Sequence, residues 1–216
     1  MRCIIIKRKG WEAMLTGAIL AGGQNRRMGK EKALLPFSGE LLIQRQIRTM
    51  SEVCEEIIVV TNQPTLFLPI LDRSIRIITD YYPGKGPLSG MHAALTLSRN
   101  PEVWIVGCDM PFLSAGAATA MQELKAALKC DAVVPVIEGR SHPLHGIYSK
   151  GCADAISALL LSGESRVSEM LRMIYWQEAP EAHFAEKHIG LDFVTNMNTP
   201  EEYELALKHA AEAALS

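Results

Sequence analysis

Apolar and polar positions along the chain follow two rhythms. Short runs rich in β-branched residues, Thr16–Ala21, Glu56–Thr61, Ser74–Thr79 and Val103–Gly107, read as buried strands. Between them, apolar residues recur every three or four positions. Leu42, Ile43, Ile47, Met50 and Val53 predict a helix over 41–53. Leu88, Met91, Ala94 and Leu95 predict one over 87–98, facing inward. A helix is expected over 114–129 with Ser114 as its N-cap. Strands at 132–137 and 142–148 flank the turn Glu138-Gly139-Arg140, and helices follow near 151–161 and 165–174. After an irregular stretch, the last helix starts at Pro200, capped by Thr199, with Glu201 and Glu202 in its first turn.

Strands separated by helices imply βαβ units and a mostly parallel sheet covered on both faces, an α/β fold. Ligands on such sheets sit beyond the carboxyl ends of the strands, where the strand order reverses. The loops after Ala21, Thr79 and Gly107 are therefore the places to search. Composition narrows the classes. The 216 residues are 48% hydrophobic and 21% charged, with a formal net charge of −2, which fits one globular unit and excludes a disordered chain. Near-neutrality gives no electrostatic footprint for duplex nucleic acid or an anionic membrane. No apolar run approaches the roughly 18 residues of a membrane span. Cys3, Cys54, Cys108, Cys130 and Cys152 are odd in number and form no C-x-x-C, so reduced thiols in a cytoplasmic protein are expected. Residues 1–13 are basic with only a short apolar stretch from Cys3 to Ile6, below the length of a signal-peptide core. They read as an N-terminal extension, with Met14 a candidate start and 14–216 the folded domain.

The most informative segment runs from Leu20 to Lys32, L-A-G-G-Q-N-R-R-M-G-K-E-K. Four of the 22 lysines and arginines fall between Arg26 and Lys32. Glycines let backbone N–H groups converge on a phosphate, and the cations balance its charge. The segment is not a P-loop, because five residues separate Gly23 from Gly29 and Glu31 follows Lys30. Nor does it contain the G-x-G-x-x-G of a dinucleotide site. The plainer alternative is a solvated basic turn. Asp109, just beyond a hydrophobic strand, is placed to hold Mg²⁺, which takes one or two protein carboxylates along with phosphates and water; the alternative is a turn cap before Pro111. Asp80 ends another strand ahead of a turn-rich loop, Tyr82 to Gly90. His142 and His145 lie three apart, and strand alternation would send them to opposite faces, so at most one is expected to touch a substrate.

L-A-G-G-x-x-x-R-M-G-x-x-K, as it stands from Leu20 to Lys32, resembles the signature loop of the molybdenum cofactor guanylyltransferases, part of a wider nucleotidyltransferase family. Glu31 stands where that family more often has Asp, and Gly23 favours the guanylyl over the cytidylyl branch. The segments G-C-D-M-P-F around Asp109, G-P-L-S-G at 86–90 and N-M-N-T-P-E at 196–201 are similar to family motifs as well. The resemblance implies a three-layer, Rossmann-like nucleotidyltransferase domain. It implies that Leu20, Ala21, Gly22 and Gly23 meet GTP through their backbone, that Arg27 and Lys32 hold its phosphates, and that Asp80 contacts the base or ribose. Arg26 occupies a variable place in the motif. Asp109 would bind Mg²⁺ and the nucleotide, and Asn196 and Asn198 would bind the pterin acceptor. The implied reaction joins GMP from GTP to the terminal phosphate of molybdopterin, with or without molybdenum, and releases pyrophosphate. Proteins that deliver or receive the cofactor are implied partners. A phosphate monoester has its second pKa at about 6, so this nucleophile needs no general base. That agrees with the absence of a Ser/His or Cys/His constellation from the sequence. Three alternatives stay open: a cytidylyltransferase for the same pterin, a sugar-phosphate nucleotidyltransferase, and a non-catalytic nucleotide-binding accessory protein.

Overall fold

Strands that are apolar on both faces must lie inside a sheet covered on both sides, and the chain builds one. The computed structural model describes residues 14–22 and 31–213; the expected extension, 1–13, lies outside them. In chain order the elements are Leu15–Leu20 (β1), Pro36–Phe37 (β2), Glu40–Leu41 (β3), Leu42–Met50 (α1), Glu56–Val60 (β4), Pro64–Phe67 (α2) and Arg76–Ile78 (β5). Gly86–Leu97 (α3), Glu102–Gly107 (β6), Ala115–Leu128 (α4), Ala132–Ile137 (β7), Arg140–Ser141 (β8) and His145–Ser149 (β9) follow. Cys152–Leu161 (α5), Val167–Leu171 (α6), Trp176–Pro180 (β10), Glu181–Ala185 (α7) and Pro200–Ala213 (α8) complete the series.

The main sheet runs β10-β7-β9-β6-β1-β4-β5, with β8 paired to β7. It is mostly parallel, as expected; only β9, between β6 and β7, and the short β8 run against the rest. From β1 the chain steps outward to β4 and β5, then returns to place β6 on the other flank of β1, with Leu20 level with Gly107. The order reverses between β1 and β6, so their carboxyl ends frame the crevice. Alternate strand residues serve two cores. Ile19, Val59, Trp104 and Val106 pack with Ile43, Met50, Met121 and Phe184 on one face. Ala18, Ile58 and Ile105 pack with Leu88, Met91, Ile156 and Met170 on the other. The result is the three-layer α/β arrangement. Among the described residues, no helix is long and apolar enough to cross a membrane.

The structure corrects several local expectations. The strand expected at 142–148 is shorter and later. Glu138 and Gly139, both at positive φ, turn β7 onto the two-residue β8, and a second turn (His145 N–H to the His142 carbonyl, 2.9 Å) precedes β9. His142 is therefore not in a strand, and the alternation argument does not apply to it. The supposedly irregular stretch contains β10, a half-exposed edge strand whose polar content hid it, and α7. The helix near 165–174 contracts to α6. A hairpin, β2–β3, closes through Ser38 and Gly39 at positive φ, a two-residue turn that the Ser-Gly pair could have signalled. It forms a third small core with α8, where Phe37 and Leu42 meet Met197 and Ala206. The caps behave as read: Ser114 Oγ accepts from the Ala117 N–H, and Thr199 Oγ1 from the Glu202 N–H.

Among the described residues, the ion pairs Glu56–Arg76 and Glu102–Lys125 lie at the amino ends of the strands, away from the crevice. Burial pushes the Glu56 carboxyl up, but hydrogen bonds from the Arg99 N–H, Arg76 and Thr16 outweigh it and hold that group below its usual range. Lys125 is buried against Glu102 (3.0 Å) and Ser149 (2.7 Å), tying α4 to β6 and β9. Lys125→Ala leaves the Glu102 carboxylate without its counter-charge and, among the described residues, with only the Gln122 amide (3.0 Å) as a side-chain donor, so urea denaturation should show a loss of about 3 kcal/mol. His145 supplies a pH test. It is fully buried between Trp104 and Phe193, both ring nitrogens lack a partner among the described residues, and burial pushes its pKa down to about 3. The unfolded chain takes up this proton below about pH 6.5, whereas the folded chain resists until near pH 3. His145 therefore drains stability as pH falls through that window, by at most about 1.4 kcal/mol per pH unit. His145→Phe should lose less stability than the parent between pH 7 and pH 5 in denaturant titrations at both values.

Candidate active site

The crevice is built from the ends of β1 and β6. Leu20 and Ala21 are buried, and their backbone is partly committed: the Ala21 N–H donates to the Val60 carbonyl (2.8 Å), and the Leu20 carbonyl accepts from the Cys108 N–H (3.2 Å). Gly22 is exposed at the mouth. Gly90, in the first turns of α3, lets that helix close on Leu20; a Cβ there would lie 3.2 Å from the leucine side chain. Gly23 and Arg27, with Arg26, belong to 23–30 and lie outside the described residues.

Beyond β6 the chain turns sharply through Gly107–Pro111, and Asp109 projects from this turn. Lys32 opens a short 3-10 turn, Lys32–Leu34, and reaches Asp109 Oδ2 at 3.2 Å and Asn198 Oδ1 at 2.9 Å. Three residues predicted from separate motifs therefore meet at one nitrogen. Asn198 is brought there by its own loop, since the Met197 N–H donates to the Asp109 carbonyl (2.9 Å). Asn196, Asn198 and Asp109 line one cavity of about 320 Å³ together with Ser141, His142 and Leu144. Asp80 stands apart, beyond β5. One of its oxygens accepts from Asn62 (3.0 Å), while the other is buried with no partner among the described residues. Three strand spacings separate β5 from β6, about 14 Å across the sheet top.

Nothing here resembles an activated nucleophile. Burial, reinforced by Asp109 and Glu31, pushes the Cys108 thiol up, and burial together with Arg140 pushes His142 down. Among the described residues no three His, Cys, Asp or Glu side chains cluster as a metal cage. A lone, partly exposed carboxylate beside an open cavity does fit Mg²⁺, which needs few protein ligands when phosphates supply the rest. The arrangement offers a cation and a carboxylate at the strand ends, with a cavity of mixed polar and apolar lining on one side and a second carboxylate across the sheet.

Sequence reading missed three residues at the site. Gln46 and Arg45 of α1 hold carbonyls of the Asp109 turn. Asn62 orients Asp80. Of the two histidines considered, His142 lines the cavity and His145 is buried in the core. For Gln46 a signal existed: it is a polar residue at helical spacing from Ile43 and Met50, and it proves fully buried with them.

A family model described as the MobA-like NTP transferase domain matches residues 17–182. A protein of Pelotomaculum thermopropionicum named "Probable molybdenum cofactor guanylyltransferase" is 35% identical over 190 residues, 87% of this chain and 89% of its own. One of the same name from Carboxydothermus hydrogenoformans is 32% identical over 200 residues, covering 90% and 95%. The crystal structure of molybdopterin-guanine dinucleotide biosynthesis protein A from Archaeoglobus fulgidus superposes with a TM-score of 0.80 at 24% identity, over 91% of this chain and 99% of that one; it attests the fold.

The carboxylate's setting yields a test. A Cβ at Gly107 would stand 2.7 Å from Asp109 Oδ1. Gly107→Ala must displace that carboxylate, so activity should fall at least about tenfold while the melting temperature changes little. A full-rate variant would show that the observed carboxylate position is dispensable.

Proposed function

The chain belongs to the MobA-like NTP transferase family, and we propose that this nucleotidyltransferase moves GMP from GTP to the terminal phosphate of molybdopterin, releasing pyrophosphate with Mg²⁺ as cofactor. The observation that carries the reading is the meeting of Lys32, Asp109 and Asn198 at the switch point. A cation, a carboxylate and an amide beside the cavity are groups suited to handling phosphate. On this reading GTP lies across the strand ends. Its base or ribose is toward Asp80, its phosphates toward Lys32 and the loop that includes Gly22, Gly23 and Arg27. The pterin occupies the cavity, where Asn196 and Asn198 offer both donors and acceptors.

The attacking oxygen belongs to a phosphate monoester that is largely dianionic at neutral pH, so the chain need not remove a proton. What it must supply is alignment and charge neutralisation, the main sources of catalysis in phosphoryl transfer. Lys32, which carries three N–H donors, turns toward the α-phosphate while Asn198 fixes its direction. Gly22 leaves room for the backbone to approach the nucleotide. Asp109 would hold Mg²⁺, whose chemistry when bound would be neutralisation of phosphate charge.

A pyrophosphate-release assay with GTP, CTP and ATP, each with and without molybdopterin, tests the reading. Release is expected only with GTP and acceptor together. CTP as the preferred donor would move the chain to a cytidylyltransferase, and tight GTP binding without release would make it an accessory protein. Asp109→Ala should abolish Mg²⁺-dependent turnover with the fold intact, and Lys32→Ala should lower kcat/KM for GTP by about 10²–10³. Normal turnover in either variant removes that residue from the machinery.

A further inference from the structure

Gln46 lies on the apolar face of α1 and is 1% exposed. Its Nε2 donates to the Gly107 and Met110 carbonyls, each at 2.9 Å. These two peptides bracket Cys108 and Asp109, so a single nitrogen fixes the width of the turn that aims the carboxylate. Arg45 adds a bond from its Nε to the Pro111 carbonyl (2.9 Å), so consecutive residues of one helix grip the turn from behind. The arrangement has a cost, because Gln46 Oε1 is buried with no partner among the described residues. An unsatisfied amide oxygen of that kind lowers stability by its lost hydration. The side chain thus satisfies two buried carbonyls while leaving its own oxygen unpaired among the described residues.

We propose that Gln46 is a positioning residue for the metal carboxylate: by pinching the Gly107 and Met110 carbonyls together it sets Asp109 in the orientation that accepts a divalent cation bridged to the nucleotide. This rests on the metal role given to Asp109 above. Gln46 touches neither substrate nor metal and acts only through the turn.

The test is calorimetric titration of the full chain with GTP, with and without Mn²⁺. The ratio of the two affinities reads the coupling between metal and nucleotide, and needs no turnover. Gln46→Met keeps the length and removes the donor. It should cut the Mn²⁺-dependent gain about tenfold, in line with losses of outer-shell partners, and leave metal-free GTP binding as in the parent. Gln46→Glu is nearly isosteric and is read alongside: ionised, its carboxylate repels both carbonyls, and protonated, its single O–H serves only one of them, so the same loss is expected. Lys125→Ala, destabilised at the opposite end of the sheet, should keep the parental ratio. A folded Gln46 variant with the parental ratio, an equal loss in Lys125→Ala, or a parent with no Mn²⁺-dependent gain would each overturn the proposal. If the parent shows that gain yet transfers no GMP, the acceptor reading fails, and the affinity ratios still decide the role of Gln46.

Discussion

The crevice depends on the peptide groups of one five-residue turn, Gly107–Pro111. The Gly107 N–H donates to the Leu144 carbonyl, and the Cys108 N–H to the Leu20 carbonyl. The Asp109 carbonyl accepts from the Met197 N–H. Gln46 takes the Gly107 and Met110 carbonyls, and Arg45 takes that of Pro111. A buried turn must satisfy its backbone groups or forfeit stability. Here the satisfaction comes from β1, α1, the segment before β9 and the segment before α8. Each brings something to the site: the nucleotide loop, the helix behind Lys32, the His142 side of the cavity, and Asn196 with Asn198. Solving the hydrogen-bond problem of the turn thus assembles the site from four distant parts of the chain.

The antiparallel β9 makes this possible. A parallel strand beside β6 would have sent its incoming segment to the amino end of the sheet. Because β9 runs the other way, the chain entering it passes over the carboxyl ends, carrying His142 to Leu144 past Asp109. The amino ends are left for structure. There Glu56, Arg76, Glu102 and Lys125 form their networks, and nothing at that end faces the crevice. Stability and chemistry occupy opposite edges of the same strands, so the predicted losses at Lys125 and at Gly107 should separate.

That separation also explains what the sequence revealed. Elements with strong apolar rhythm, β1, β4, β6, α3 and α4, were legible to within a residue or two, since burial leaves little choice of side chain. The family motifs pointed separately to Lys32, Asp109 and Asn198, and the fold brings the three together although 77 and 166 residues separate Lys32 from its two partners. Tertiary support was harder to read. Gln46 announces itself only as a polar residue in an apolar stripe, and the carbonyls it serves lie 61 and 64 residues away. β10 failed the pattern test because an edge strand is half exposed. The 142–148 segment failed because its hairpin closes on a two-residue partner, which no period of two announces. Gly23 and Arg27 stay at the level of motif.

On the proposed reaction, the Lys32–Asp109 pair has a further consequence. Both side chains are partly exposed, 16% and 25%, and pairs of that kind are worth only about 0–1 kcal/mol. The pair is thus too weak to resist ligands, yet it keeps a cation and a carboxylate from standing alone at the end of an apolar sheet. A nucleotide phosphate arriving at Lys32 would, on that reading, replace the charge that Asp109 provides and leave the carboxylate available to a divalent cation. Asn198 also holds Lys32, and the Met197 N–H holds the Asp109 backbone, so each group has an anchor besides the other. On that reading the pair and its anchors hold the site close to its working geometry, at an electrostatic cost small enough for substrate binding to offset.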